Sequence, residues 1–368
     1  MGEKVASPIV AKMIGDWYGF IKKQDILKAE TMRNEIVQAC ENMEEDQNVL
    51  LYFNLIDARY KMMVQEFEGS KELLKQIDIE EKQKTDDMIH YYYFFFNGMY
   101  EFYKKRFSDA INYYHIAETR LRNVLDELER AEFNYQLAIA YYEIAQNHFS
   151  INHAKKALES FKSADLQESR VATTLMVIAS NKMDLNQFVK AESTYKDAIN
   201  LAAASKLDFP QALGYLNLGI CYERQGKLQQ ATDSFHNVLS IELKKPHKTL
   251  HMRTKYMLAR ALFQLDKTAE GLDVYNESLM LANELSDNAY IAKLNIIHSI
   301  YVTVDENKLD VALNVLKSQK LWTDAAELSI MAARFYKKQD NYKLASKYFD
   351  EGLESQAKKL TWMEEEAE

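Results

Sequence analysis

Residues 218–235 read LGICYERQGKLQQATDSF. Gly219, Tyr222, Leu228, Ala231 and Phe235 recur at helical spacing on either side of Gln225-Gly226, as expected of two helices joined by a tight turn. Small residues at two of these offsets let the helices approach closely, and the aromatic residues fill the gaps between successive hairpins. The same offsets return along the chain. Asn97-Gly98 leads through Phe107, Ala110, Tyr114 and Ala117. Ala179, Phe188, Ala191, Tyr195 and Ala198 form a second copy, and Ala333, Tyr336, Tyr342, Ala345 and Phe349 another. Weaker copies lie near Ala138-Tyr141-Tyr142-Ala157 and Ala259-Leu262-Gly271-Tyr275.

The period is about forty residues, and the offsets match the tetratricopeptide repeat with its extra length placed in longer turns between units. Six to seven such units predict an all-α, right-handed superhelix with a concave inner face. Composition agrees: 3 prolines and 10 glycines in 368 residues are too few breakers for a β-sandwich or an α/β enzyme. A hydrophobic content of 47% excludes a disordered chain, and a net charge of −9 argues against sequence-independent nucleic-acid binding. Cys40 and Cys221 read as buried thiols of a reducing compartment, and the run Glu364-Glu365-Glu366 as solvated. No signal peptide or uncharged membrane-length stretch is present, so a cytoplasmic protein is expected.

Ahead of the repeats, residues 1–68 predict a three-helix bundle. Ser7 and Pro8 open the first helix, Asp25 the second and Asp46 the third. Ile9, Met13, Trp17 and Phe20 share one face of the first helix; Leu50, Phe53, Ile56, Tyr60 and Met63 point inward from the third. Residues 69–88 are charged and weakly periodic, a connector, and the repeat domain occupies 89–368. Within it Tyr91-Tyr92-Tyr93-Phe94-Phe95-Phe96 could stack bases, but six consecutive aromatics surround a helix, and burial between bundle and repeats is the better reading.

No phosphate-binding loop, dinucleotide fingerprint, zinc-protease motif or nucleophile elbow occurs. His247 and His251 have helical zinc spacing but flank Pro246 without an obvious third ligand; His148 and His153 do not share a face. Gln47 follows the capping Asp46 in the first turn of the third helix, where free N–H groups favour an anion. Its amide could orient a water for attack on a phosphoryl group, or it is simply a turn residue. On the concave face, Asn217, near the start of its helix, could clamp the main chain of an extended peptide, and Asp184 could accept its N–H groups. Asn181, one turn before Asp184, could join them; hydrogen bonding within the array is the alternative for these amides.

Several stretches resemble the Rap proteins over almost the whole chain. Asp16-Trp17-Tyr18, Met43-Glu44-Glu45-Asp46-Gln47 and Leu51-Tyr52-Phe53 look like their N-terminal bundle. Tyr92-Tyr93-Phe94, Gly98-Met99-Tyr100-Glu101-Phe102, Glu129-Arg130-Ala131-Glu132-Phe133 and Phe149-Ser150 look like their repeat domain. The resemblance implies a cytosolic quorum-sensing regulator in sporulation or competence. Its bundle would bind a response regulator and dephosphorylate its aspartyl-phosphate, inhibited by a short re-imported Phr-type peptide in the repeats. Gln47 would position the hydrolytic water, with Glu45, Asp46, Leu50 and Phe53 beside it at the partner. Asp184 and Asn217 would anchor the peptide, with Asn181, Tyr142, Met183 and Tyr215 around them. No cofactor of its own is implied, the Mg²⁺ belonging to the regulator, and neither nucleic acid nor membrane is a partner. The relatives' Phe-Arg-His is replaced by Ala58-Arg59-Tyr60 in a region that the resemblance places against the partner.

The alternative is non-catalytic sequestration of a transcription factor, in which Gln47 would scarcely matter. A third class, a clamp for another protein's C-terminus, needs a basic cradle that the sequence does not mark out.

Overall fold

A computed structural model describes residues 4–23, 25–77, 87–121, 126–164, 167–244 and 246–365. Among them are eighteen α-helices and no strand, only an isolated bridge between Val5 and Met43. Two compact units divide the chain, Met1–Ser160 and Phe161–Glu368.

The first unit starts with α1 (Ser7–Lys22), α2 (Ile26–Glu41) and α3 (Gln47–Met63). Asp25 caps α2 by accepting from Lys28 N–H, and Asp46 caps α3 by accepting from Asn48 and Val49 N–H. Ser7 does not cap α1. That position belongs to Ala6, Ser7 being the first helical residue beside Pro8. The α1 face is built on Val10, Ile14, Trp17 and Ile21, all fully buried, whereas Ile9 is exposed, so the predicted stripe is rotated. Arg33 of α2 grips Asp57 of α3 with two hydrogen bonds, Nε to Oδ1 at 2.5 Å and Nη2 to Oδ2 at 3.0 Å. Buried residues surround α3 more widely than expected, because α4 (Phe67–Lys75) and α5 (Asp87–Tyr103) also pack on it. Helix α4 occupies part of the expected connector; residues 78–86 of that connector lie outside the described residues. So does Glu366 of the acidic run.

Helix α5 pairs with α6 (Phe107–Leu121), and α7 (Glu127–Glu143) with α8 (Asn147–Ser163). Tyr91, Tyr92, Phe95 and Phe96 are buried as expected, against Tyr18, Tyr52, Tyr114 and Phe133. A carboxylate sits among these rings. Glu129 of α7 is fully buried and accepts from Tyr18 Oη (3.1 Å), Tyr91 Oη (3.0 Å) and Lys22 Nζ (3.4 Å). Burial raises its pKa against the opposing pull of Lys22. This node ties the first helix of the bundle to the repeats.

The second unit stacks hairpins α9/α10 (Glu168–Asp184, Phe188–Ala204), α11/α12 (Asp208–Arg224, Leu228–Ser240) and α13/α14 (Lys248–Gln264, Thr268–Glu284). Two more follow, α15/α16 (Asn288–Tyr301, Glu306–Ser318) and α17/α18 (Trp322–Lys338, Tyr342–Glu365). From α5 onward there are thus seven hairpins, in line with the expected all-α repeats. Their extra length is not in the turns. Helices α9, α10 and α11 each have 17 residues and are joined by three-residue links, so lengthened helices produce the forty-residue period. The links are closed by a residue with positive φ. After α9, Asn186 (φ 57°) donates to Met183 O and Gln187 to Lys182 O, the paired bonds of a Schellman turn.

Candidate functional site

At the α2–α3 corner, Glu45 and Gln47 are exposed, and Gln47 is the first residue of α3. The corner is not the anion cradle expected from a bare helix start. Asp46 already occupies the N–H groups of Asn48 (3.0 Å) and Val49 (3.3 Å) and places a negative charge there. A hydrogen bond from Ser7, then those backbone donors, hold the Asp46 carboxyl below its ordinary range. What remains is an exposed, uncharged amide at a capped helix start. Leu50 and Phe53 are half-buried, and Phe53 stacks on Trp17 at 5.8 Å, so both serve the core as well as the surface. Ala58, Arg59 and Tyr60 are buried.

In the second unit, a pocket of about 700 Å³ opens among α11, α13, α15, α17 and α18. Arg260, buried on α13, is among its lining residues. The guanidinium binds Glu223 of α11 through Nε (2.8 Å) and Nη2 (2.7 Å), and Glu327 of α17 through Nη1 (2.7 Å). Burial opposes the charge, yet Glu223 and Glu327 together raise the Arg260 pKa well above its ordinary value. Arg260 in turn is the main cause of a lowered Glu327 pKa. Beside this network, Tyr301 stacks on Phe263 at 5.9 Å and meets Phe335 edge-on at 5.4 Å, giving an aromatic floor.

Arg224, on the same lining, pairs with Asp184 Oδ1 at 2.5 Å and so joins the ends of α9 and α11. Asn217 lies past the middle of α11, not near its start, and is half-buried with no hydrogen-bond partner for its amide among the described residues. Asn181 is fully buried, its amide donating to Val177 O at 2.8 Å. Tyr215 is half-buried against the repeat core; Met183 is inside that core and offers no groove surface. Tyr142 belongs to the first unit. No group of three or more His, Cys, Asp or Glu side chains able to hold a metal occurs among the described residues. His247 instead packs on Phe209 at 4.4 Å, and a ring nitrogen of His153 pairs with Asn134 Oδ1 at 2.9 Å. Both cysteines are free; Cys221 is buried, but Cys40 only half so.

The family profile described as response regulator aspartate phosphatase H, N terminal, matches residues 4–65. Over 365 residues the chain is 30% identical to response regulator aspartate phosphatase A of Bacillus subtilis (strain 168), covering 97% of this chain and 96% of the relative. The chain belongs to the Rap family. It is also 29% identical to regulatory protein RapG of the same organism, covering 95% of this chain and 96% of RapG. A crystal structure of a Rap protein complexed with competence and sporulation factor superposes with a TM-score of 0.84 at 28% identity, covering 96% of this chain and 99% of that one.

For this Rap protein, the sequence singled out the exposed Gln47, Asp184 at the end of α9 and Asn217 within α11. It missed Arg260, Glu223, Glu327 and the aromatic floor. One signal was present. Arg260 is the lone charge in the run Tyr256–Phe263, a position that on a buried helix requires partners.

Proposed function

We propose that the protein is a cytoplasmic response regulator aspartate phosphatase whose activity is inhibited by a short signalling peptide bound in its repeats. The observation that carries this reading is Gln47, an exposed amide at the capped start of α3, in a chain related over 97% of its length to response regulator aspartate phosphatase A. The Gln47 amide accepts a hydrogen bond from a water and donates to a phosphoryl oxygen, aligning the water for in-line attack on the aspartyl-phosphate of a receiver domain. Phosphate and Mg²⁺ belong to that partner, so the chain needs no cofactor of its own. Among the described residues no helix is long and apolar enough to cross a membrane, which is compatible with the cytoplasmic reading.

Peptide binding is supported by the resemblance to a Rap protein complexed with competence and sporulation factor, and by the unpartnered Asn217 amide on α11. A non-catalytic reading has its own support: RapG, almost as similar, is named a regulatory protein. One experiment separates the two. Loss of label from phosphorylated receiver domains is followed with native protein and with Gln47→Ala, alongside binding of the same domains. Unchanged binding with dephosphorylation slowed about 100-fold or more, the scale of a lost transition-state hydrogen bond, supports the phosphatase. Full activity of the variant removes Gln47 from the mechanism, and no activity in either protein favours sequestration.

A further inference from the structure

Helix α1 is fastened at its two ends to two different parts of the first unit. At its start, Val5 N–H donates to Asn42 O at 2.9 Å, and Val5 O accepts from Glu44 N–H at 3.0 Å. The Ser7 hydroxyl donates to the Asp46 carboxylate. Asn42, Glu44 and Asp46 belong to the α2–α3 corner that leads into Gln47. Towards the other end, Tyr18 Oη and Lys22 Nζ donate to Glu129 at 3.1 and 3.4 Å, and Lys22 also pairs with Asp126 at 3.3 Å, at the start of α7. Among the described residues none of the three bundle helices packs along α7, so these side chains carry the junction between α1 and α7.

The junction resists slipping. Glu129 is fully buried, and among the described residues two of its three side-chain donors come from α1, the third being Tyr91 of α5. A buried carboxylate that loses its donors is left uncompensated. A displacement of α7 therefore strands Glu129 unless Tyr18 and Lys22 follow, and α1 moves with them. Between its ends α1 has little freedom to absorb that movement. Val10, Ile14, Trp17 and Ile21 are fully buried, and Trp17 stacks on Phe53 of α3. Ser7 and Tyr18 are separated by about 16 Å of helix, a stiff element at 1.5 Å per residue.

We propose that Glu129, Tyr18 and Lys22 are positioning residues for the phosphatase reaction, making α1 a strut that fixes the Asp46 cap, and with it the Gln47 amide, relative to the first repeats. This rests on the reading of Gln47 as the residue that aligns the attacking water, and adds to it the contacts that hold it in place. None of the three touches the reacting atoms; they act through the helix.

The test uses the full-length protein. Tyr18→Phe deletes one hydroxyl and keeps the ring, Ser7→Ala breaks the opposite fastening, and a double variant combines them. The readouts are kcat and KM for loss of label from a phosphorylated receiver domain, and hydrogen exchange at the Glu44 amide, with Gln47→Ala alongside. Tyr18→Phe is expected to lower kcat about tenfold with KM unchanged, the scale of a slightly misplaced catalytic group. The Glu44 amide should exchange faster in this variant although the deleted hydroxyl lies about three helical turns from Ser7. The double variant should be no slower than the slower single one, because either change uncouples the same strut, whereas independent sites would multiply their effects. Glu129→Gln, which keeps an acceptor for both phenols, should retain most of the kcat that Glu129→Ala loses. An unchanged or raised kcat in Tyr18→Phe overturns the positioning role and leaves Gln47 its own. So does a double variant whose loss is the product of the single losses. Full activity of Gln47→Ala takes the phosphatase reading and the positioning role together, a failure told apart from a failed strut by faster exchange at Glu44 in Tyr18→Phe.

Discussion

A Cβ placed on Gly219 would lie 2.4 Å from Phe235 Cε1, and one on Gly98 would lie 2.5 Å from Tyr114 Cε1. The intervals 219 to 235 and 98 to 114 are equal, so each glycine receives the ring that the following helix delivers. Gly219→Ala should therefore lower stability by about 1–3 kcal/mol despite alanine's better helix propensity, because the Phe235 ring must shift within a packed core. Urea unfolding measures this, and an unchanged midpoint would mean that the repeat offset is not a packing constraint. His153 offers a second prediction. Burial, then the nearby Lys156, lowers its pKa from 6.5 to about 4. The unfolded chain binds the proton more readily, so this contribution to stability is complete above pH 6.5 and is lost as pH falls towards about 4. His153→Gln should flatten the fall in urea midpoint between about pH 7 and pH 5; an equally steep fall would place the acid sensitivity elsewhere. At this scale the sequence was legible where size decides, as at Gly219 and Phe235. It was less legible where partners decide: Asp46 reads as the cap, yet the N–H groups beside Gln47 still read as free for an anion, and only the structure shows Asp46 occupying those of Asn48 and Val49.

Helices and turns were legible to different degrees for a physical reason. Apolar periodicity reports a helix along its whole length, whereas a turn reports itself only through glycine or proline. Here the links close on residues of ordinary type: Lys206 (φ 55°), Asp266 (φ 59°), Ser286 (φ 53°) and Lys320 (φ 57°) adopt the left-handed region, and Gly226 (φ 73°) is the only glycine found there among the described residues. Without the usual breakers, the added length of each unit looked like turn when it was helix. Val304 (φ 48°), between α15 and α16, is the most costly example, because a β-branched side chain crowds its own backbone in that region. It is also exposed, so little packing is lost on its removal. Val304→Gly should raise stability by about 1 kcal/mol, visible as a higher thermal midpoint. A lower midpoint would show that the Val304 side chain contributes more in contact than it costs in strain.

For the molecule as a whole, regulation requires that peptide favour one arrangement of the repeats over another; equal affinity for both would shift nothing. Asn217→Ala should leave unstimulated dephosphorylation intact while inhibition by peptide disappears, measured as label loss with and without the cognate peptide. Normal inhibition of that variant would move the anchor away from α11. Repeat arrays ordinarily couple each unit only to its neighbours, so that their unfolding can be described link by link. Arg260 departs from that rule, because it holds α11 on one side and, passing over α15, α17 on the other. Trimming the chain from its C-terminal side would consequently not shorten it by one independent module. Removing α17 takes Glu327 from a buried guanidinium, and the damage should travel inward to α13, making the second unit fail as a block where a simple solenoid would fray.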